Sequence, residues 1–259
     1  MDDLAGQAQL ADELARWAIA YVRDLPAGRQ AFDTKTGPAD LVTATDRAIE
    51  RHVRDRIGVA FSRHRVVGEE LGDGGGTGVP TWYVDPVDGT TNFAHGLPGA
   101  SFSLGYVDAD GPAVAVVADL ARGVVVSATR GGGTTRDGEP VHCLDIADVA
   151  GEVVLTEWLG HRPWPGMYEM LAALAAASCT TRVLGSSALD LATVATGSAA
   201  AAVLGGYNTW DVVAGVLLAR ESGAVVMSRD GVADGLPEGG LLVASPGVAD
   251  LVWSAWTGA

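Results

Sequence analysis

Apolar positions recur at helical spacing over 2–25, where Leu4, Leu10, Leu14, Trp17, Ala18, Tyr21 and Leu25 share one face and Pro26 stops the run. A polar loop, 28–40, follows and holds Lys35-Thr36-Gly37-Pro38. Leu41-Val42-Thr43-Ala44-Thr45-Asp46 then leads into a second helix, with Ile49, Val53 and Ile57 on its apolar face and Arg47, Arg51, Arg54 and Arg56 on its solvated one. Positions 64–67 predict a short strand that delivers Gly68-Glu69-Glu70. The glycine run 72–78 reads as a flexible surface loop, because no Lys-Ser/Thr follows it and a strand rather than a helix comes next. Trp82-Tyr83-Val84 has the composition of a buried strand, and that strand is expected to stop at Asp85-Pro86, since proline cannot donate to a ladder.

Further along, 101–107, 113–119 and 124–128 are strand candidates joined by glycine-containing turns, which predicts an antiparallel meander with Gly131-Gly132-Gly133 at a hairpin tip. From about residue 140 the rhythm changes. Strands at 153–156, 181–184, 199–204, 224–227 and 241–244 alternate with helices at 164–177, 188–196, 208–221 and 246–256. The pattern predicts an α+β subdomain over 1–140 and an α/β subdomain over 141–259, with no fixed-period repeat.

Composition narrows the class. At 259 residues and 48% hydrophobic, the chain can bury a large core. No apolar run reaches the roughly 18 residues of a membrane span. The Met1-Asp2-Asp3-Leu4 start lacks a secretory signal's basic and apolar regions. Cys143 and Cys179 have neither metal-ligand spacing nor the numbers for a disulfide framework, so a cytoplasmic protein with reduced thiols is expected. The net charge of −15 argues against nucleic acid as a partner. It also means that a phosphate ligand would need bound cations to offset the local charge. Among seventeen basic residues the only lysine is Lys35, a compact point charge where arginine is otherwise used throughout.

The chemistry concentrates in Trp82 to Phe93. Asp85 and Asp88 flank a rigid turn, Gly89 permits close backbone approach, and Thr90-Thr91-Asn92 offers hydroxyls and N–H groups where a helix can start. Such a strand end can hold a hard cation and a phosphate together. A bare Asp-x-x-Asp is more often an ordinary capping turn, and the whole Asp85–Phe93 string is far more specific. Glu69 and Asp211 stand at other strand ends or helix starts, and the four acids suit a site with two or three Mg²⁺ ions if they meet in space.

Taken in order, Gly68-Glu69-Glu70, Asp85-Pro86-Val87-Asp88-Gly89-Thr90-Thr91-Asn92-Phe93 and Trp210-Asp211-Val212-Val213-Ala214-Gly215 resemble the three motifs of the inositol monophosphatase family, Mg²⁺-dependent and lithium-sensitive phosphatases. The segment Leu41 to Asp46 agrees as well, so the resemblance covers nearly the whole chain. It implies a layered α-β-α-β-α sandwich, with an antiparallel N-terminal sheet and a mixed C-terminal one, in a homodimer. It also implies a site in which Glu69, Asp85 and the Val87 carbonyl hold one Mg²⁺, and Asp85, Asp88 and Asp211 a second, with Glu69 near a weaker third. Thr90, partnered by Asp46, would orient the attacking water, and the Gly89 and Thr90 N–H groups would bind the phosphate. Gly185, Ser186 and Ser187 would face the alcohol part of the substrate, together with Asp88 and Asp211. Lys35 matches a lysine on the family's loop near the metals.

The reaction implied is hydrolysis of inositol 1-phosphate or a similar small polyol phosphate by direct attack of a metal-activated water. One position departs from the family pattern: Leu204 stands where many inositol phosphatases carry a glutamate that hydrogen-bonds inositol hydroxyls. Tyr207, Asn208 or a loop would then take over that role, or the alcohol differs. Within the same chemistry, histidinol-phosphatase, fructose-1,6-bisphosphatase and 3′-phosphonucleotide phosphatase activities are the alternatives. Outside it stands a non-catalytic regulatory protein on this fold, which filled ligand positions argue against.

Overall fold

The structure is a computed structural model and describes residues 4–38, 40–74, 76 and 78–258. Positions 2 and 3 of the predicted first helix lie outside the described residues, as do Ala39 and, in the predicted glycine loop, Gly75 and Thr77. Between helices α1 (Ala5–Arg23) and α2 (Ala44–Ala60) in sequence lies a small antiparallel hairpin of β1 (Phe32–Thr34) and β2 (Leu41–Thr43). Thr43 and Asp46 start α2 with a capping box, each bonding the other's backbone or hydroxyl.

The first large sheet runs β3 (Arg65–Gly68), β4 (Gly72–Gly74), β5 (Thr81–Asp88), β6 (Ser101–Asp108), β7 (Gly111–Asp119), β8 (Val124–Thr129), β9 (Gly133–Arg136) and β10 (Glu139–Val141). Its spatial order is β10-β9-β8-β7-β6-β5-β3-β4, antiparallel except for the parallel pair β3 and β5. The short helix α3 (Thr90–His95) joins β5 to β6. The second sheet takes β11 (Val153–Thr156), β12 (Thr180–Arg182), β13 (Ala201–Leu204), β14 (Val225–Ser228), β15 (Gly231–Val232) and β16 (Leu241–Ala244) in the order β12-β11-β13-β16-β14-β15. Its first three strands are parallel and the rest antiparallel. Helices α4 (Met167–Ala176), α5 (Ser187–Ala195), α6 (Thr209–Glu221) and α7 (Ala249–Thr257) connect and cover it.

Side-chain alternation along the strands builds the layers. On β7, Val114, Val116 and Ala118 join the core under α1 and α2, while Ala115 and Val117 meet Ala188, Ala192, Ala214 and Leu218 of α5 and α6. On β13, Ala201 and Val203 face Met170, Leu174 and Val252 of α4 and α7, while Ala202 and Leu204 face α5 and α6. The result is an α-β-α-β-α sandwich whose middle helices are buried from both sides. Among the described residues no helix is long and apolar enough to cross a membrane.

Several expectations need correcting. β5 does not stop at Asp85-Pro86 but continues to Asp88 through a bulge. Part of the predicted glycine loop is strand β4, paired with β3. Arg54 is not on a solvated face: it bonds Glu50 and donates to the carbonyls of Val66 and Gly72. The predicted strand at 181–184 ends at Arg182, and Leu184 belongs to the loop before α5.

Candidate active site

The bulge in β5 sets the geometry of the central motif. Asp85 pairs with Ser103 and Asp88 with Ser101, so three steps on β5 oppose two on β6. Residues three apart on a regular strand face opposite sides; one extra residue resets the alternation and brings both carboxylates to the same side. Pro86, which has no N–H, falls inside this interruption, where no ladder bond is lost. Asp85 Oδ1 accepts from Val87 N at 3.0 Å, an Asx turn that fixes the chain across the bulge. Gly89 then turns at φ +87°, and a Cβ there would lie 2.5 Å from the Gly99 carbonyl oxygen and 2.7 Å from that of Gly185. Only glycine fits this crossing of three backbones.

Other elements bring further acids to the same end of the sheet. Glu69 follows β3, in a turn braced by the fully buried Glu50, whose carboxylate accepts from Glu70 N at 2.8 Å and Leu71 N at 3.1 Å. Asp46 comes from the first turn of α2. One of its oxygens is held by Thr43, and the other accepts from Thr90 Oγ1 at 3.3 Å, with the Val87 carbonyl 2.9 Å from the same hydroxyl. Asp211 comes from the first turn of α6, where Asn208 N donates to it at 2.7 Å. Ser103 on β6 donates to the Trp210 carbonyl at 3.3 Å and ties that turn to the first sheet.

Burial and mutual repulsion dominate the electrostatics. Asp85 is fully buried, and its pKa lies well above the usual carboxylate range because of burial first and then the charges of Glu69, Asp88 and Asp211. Asp88 is raised by burial and by Asp211. Asp211 is raised to about 7, again by burial, with Glu69 adding to it. Burial also raises Asp46. Lys35 Nζ lies 2.6 Å from Glu69 Oε1 and 2.8 Å from Glu70 Oε1. Burial disfavours its charge, but these two hydrogen bonds outweigh that and raise its pKa.

Among the described residues the acids converge without closing into a ligand shell around one point. The ammonium of Lys35 stands in for part of the positive charge they demand. Oxygen-only donors, desolvated and repelling one another, fit a hard divalent cation.

The opposite wall comes from the second sheet. Asp88 Oδ2 accepts from Ser186 Oγ and from Ala188 N, both at 2.7 Å, at the start of α5. Ser186 is therefore buried and turned to Asp88, not to the alcohol part of a substrate; Gly185 and Ser187 do line the cavity. Its volume is about 790 Å³, and its walls include Phe32, Leu41, Asp88, Thr91, His95, Glu157, Trp158 and His161. Leu204 is not part of it. Its side chain packs in the core with Leu155 and Leu191, because the alternation along β13 turns it towards α5 and α6. Tyr207 donates its hydroxyl to the Pro237 carbonyl, and Asn208 caps α6. Glu157, Trp158 and His161 were not foreseen: they sit in the loop after β11, and no local motif marks them.

The layered fold is that of solved inositol monophosphatases. The inositol monophosphatase of Anabaena superposes with a TM-score of 0.85 at 30% identity, over 97% of this chain and 95% of that one. The sequence model of the inositol monophosphatase family matches residues 5–256. The chain is 35% identical to the inositol-1-monophosphatase SuhB of Mycobacterium tuberculosis over 271 aligned positions, 95% of this chain and 91% of that protein. It is 32% identical to inositol monophosphatase 1 of Sus scrofa over 226, with 84% and 82% coverage. The chain belongs to the inositol monophosphatase family and is a phosphoric monoester hydrolase of that type.

Proposed function

We propose that the chain hydrolyses inositol 1-phosphate or a similar small polyol phosphate with Mg²⁺, two or three ions per site, as a homodimer. The observation that carries this reading is the Thr90 hydroxyl, set between Asp46 and the Val87 carbonyl beside four converging acids. Glu69, Asp85 and the Val87 carbonyl would hold one ion, and Asp85, Asp88 and Asp211 a second, with Glu69 also near a third. When bound, the metal activates water and neutralises the leaving oxygen.

The chain's own groups supply positioning. Thr90 donates its hydroxyl hydrogen bond to Asp46 or the Val87 carbonyl and keeps its lone pairs for a water on the phosphorus side. Asp46, held by the Thr43 cap, keeps that hydroxyl in one rotamer. The Gly89 and Thr90 N–H groups take phosphate oxygens, and Lys35, bonded to Glu69, limits the repulsion among the acids before the ions arrive. Gly185 and Ser187 face the alcohol.

One observation favours a second reading of the substrate. Phe32 and Trp158 keep 37% and 41% of their surface exposed, and both line the cavity with His95 and His161. Such rings suit a phosphate ester bearing a planar group, as in the histidinol-phosphate and 3′-phosphonucleotide alternatives.

A panel of phosphate esters with Mg²⁺, with and without Li⁺, decides between the readings by phosphate release. The first reading expects inositol 1-phosphate to lead and Li⁺ to inhibit. A ring-bearing ester far ahead of it would replace the substrate. Asp88→Asn is expected to abolish turnover, and wild-type turnover in that variant would end the metal-ligand assignment.

A further inference from the structure

Glu157 lies in the second sheet's half of the molecule, in the wall of the cavity. It follows β11, and its main-chain carbonyl accepts from the buried Trp164 Nε1 at 3.1 Å. Its carboxylate Oε1 accepts from Leu184 N at 2.9 Å and Gly185 N at 2.6 Å, the two residues that open the turn before α5. From α3, which joins β5 to β6, Asn92 Nδ2 donates to the Leu184 carbonyl at 2.7 Å. That turn is thus gripped through its N–H groups from the loop after β11 and through its carbonyl from α3. The next residue is Ser186, whose hydroxyl, 2.9 Å from Ser101 Oγ, bonds Asp88.

Behind Glu157 stands Asp190, on the first turns of α5. It is fully buried, no donor reaches either of its oxygens, and its carboxyl group faces that of Glu157. Burial raises the pKa of both acids, and that of Asp190 well above the carboxylate range with the Glu157 charge adding to it, while the two N–H groups that Glu157 accepts act to hold its own pKa down.

We propose that Glu157 is a positioning residue for the metal site: it fixes the Leu184–Gly185 turn, which fixes Ser186, which holds the carboxylate of Asp88. The chain of contacts runs from Glu157 to the Leu184 and Gly185 N–H groups, along the backbone from Gly185 to Ser186, and from Ser186 Oγ to Asp88 Oδ2; the hydrogen bonds at its two ends are 2.9 Å or less. A carboxylate at the end of the first sheet is in this way set from a strand of the second. The inference rests on Asp88 being a metal ligand.

Calorimetric Mg²⁺ binding, alongside kcat and KM with the best ester, tests it on Glu157→Ala, Glu157→Gln and Ser186→Ala. Loss of an outer hydrogen-bonding partner of a metal ligand costs about 10–100-fold in metal affinity or activity, and E157A is expected to lose that much in Mg²⁺ affinity while KM moves less than about 3-fold. E157Q keeps the acceptor oxygen and offers an N–H to Asp190, so it recovers most of the loss. S186A, which cuts the next link, shows the same defect.

Mg²⁺ affinity in E157A within twofold of wild type overturns the proposal. So does an E157Q as impaired as E157A, which would make the carboxylate itself the agent, or a change confined to KM, which would make Glu157 a substrate contact. If E157A is not recovered folded, E157Q and S186A decide: both must hold to the pattern given. Wild type that binds Mg²⁺ but hydrolyses no ester defeats the proposed function alone, and the calorimetric series still reads this one. Wild type that binds no Mg²⁺ defeats both.

Discussion

Single side chains in this site divide by whether their role is written locally. Asp85, Asp88 and Thr90 stand in one short string, and a reader of the sequence can see two acids, a glycine and a hydroxyl at a strand end. Glu69 and Asp211 were marked by their places at a strand end and a helix start. Glu50, Glu157 and Asp190 were not legible, because each works on backbone N–H groups or on another acid far away in sequence: Glu50 on Glu70 and Leu71, Glu157 on Leu184 and Gly185. The family resemblance implies Ser186 as a substrate contact, yet its hydroxyl is committed to Asp88. At this scale the sharpest test is Thr90. Its hydroxyl has two acceptors, so removing it leaves the fold in place and takes away the group that orients a water. Thr90→Ala is expected to lower kcat about 100-fold with little change in KM, a magnitude typical of misplacing a reacting group by about 1 Å. Thr90→Ser should keep most of the rate. Steady-state phosphate release reads both, and a T90A enzyme at wild-type kcat would remove Thr90 from the mechanism.

Elements were legible in proportion to their length and regularity. The meander of β6, β7 and β8 alternates and was placed within about two residues, and α6, buried all round, was visible as an apolar run opened by Asn208. The strands β1, β4, β9, β10 and β15 span two to four residues rich in glycine, threonine or charge, too short for any alternation to register. They exist because neighbouring strands supply partners, which is a tertiary cause. The continuation of β5 past Pro86 is of the same kind: the bulge appears only when β6 lies alongside. The element joint at Gly89 gives a prediction with an internal control. Gly89→Ala adds positive-φ strain and a Cβ against two backbone carbonyls, whereas Gly138→Ala, at φ +89°, meets nothing within 4 Å. Strain alone costs about 1 kcal/mol, and the backbone clash should bring G89A to about 2–4 kcal/mol in urea unfolding. Equal costs for the two variants would mean that the crossing at Gly89 is looser than its geometry states.

The whole molecule carries its charge problem inward. Of a net charge of −15, a share lies in buried acids that the fold forces together at one end of the first sheet and between the two sheets. Asp85, Asp88 and Asp190 are raised well above the carboxylate range, chiefly by burial, and Asp211 from 3.8 to about 7. In the unfolded chain such groups lose their protons near pH ~4. Between about pH 4 and 7 the unfolded chain therefore releases protons that the folded chain retains, and the linkage makes stability fall as pH rises through that window. The acids held low, such as Asp73 beside Arg65 and Asp108 beside Arg130, act in the opposite sense, but their window lies below about pH 4 and leaves the slope above it unchanged. Metal-free protein should accordingly melt roughly 5–10 °C lower at pH 8 than at pH 5. Saturating Mg²⁺ binds only the deprotonated acids, so it should stabilise most at pH 8 and flatten or reverse the slope. Thermal melts over this range, with and without Mg²⁺, read the effect directly. A metal-free melting temperature that is flat or rises from pH 5 to 8 would show that the acids do not keep their protons in the fold. The charge would then have to be offset by another group, and Lys35→Met, which removes the ammonium from Glu69 and Glu70, would be the variant that exposes it through a further loss at high pH.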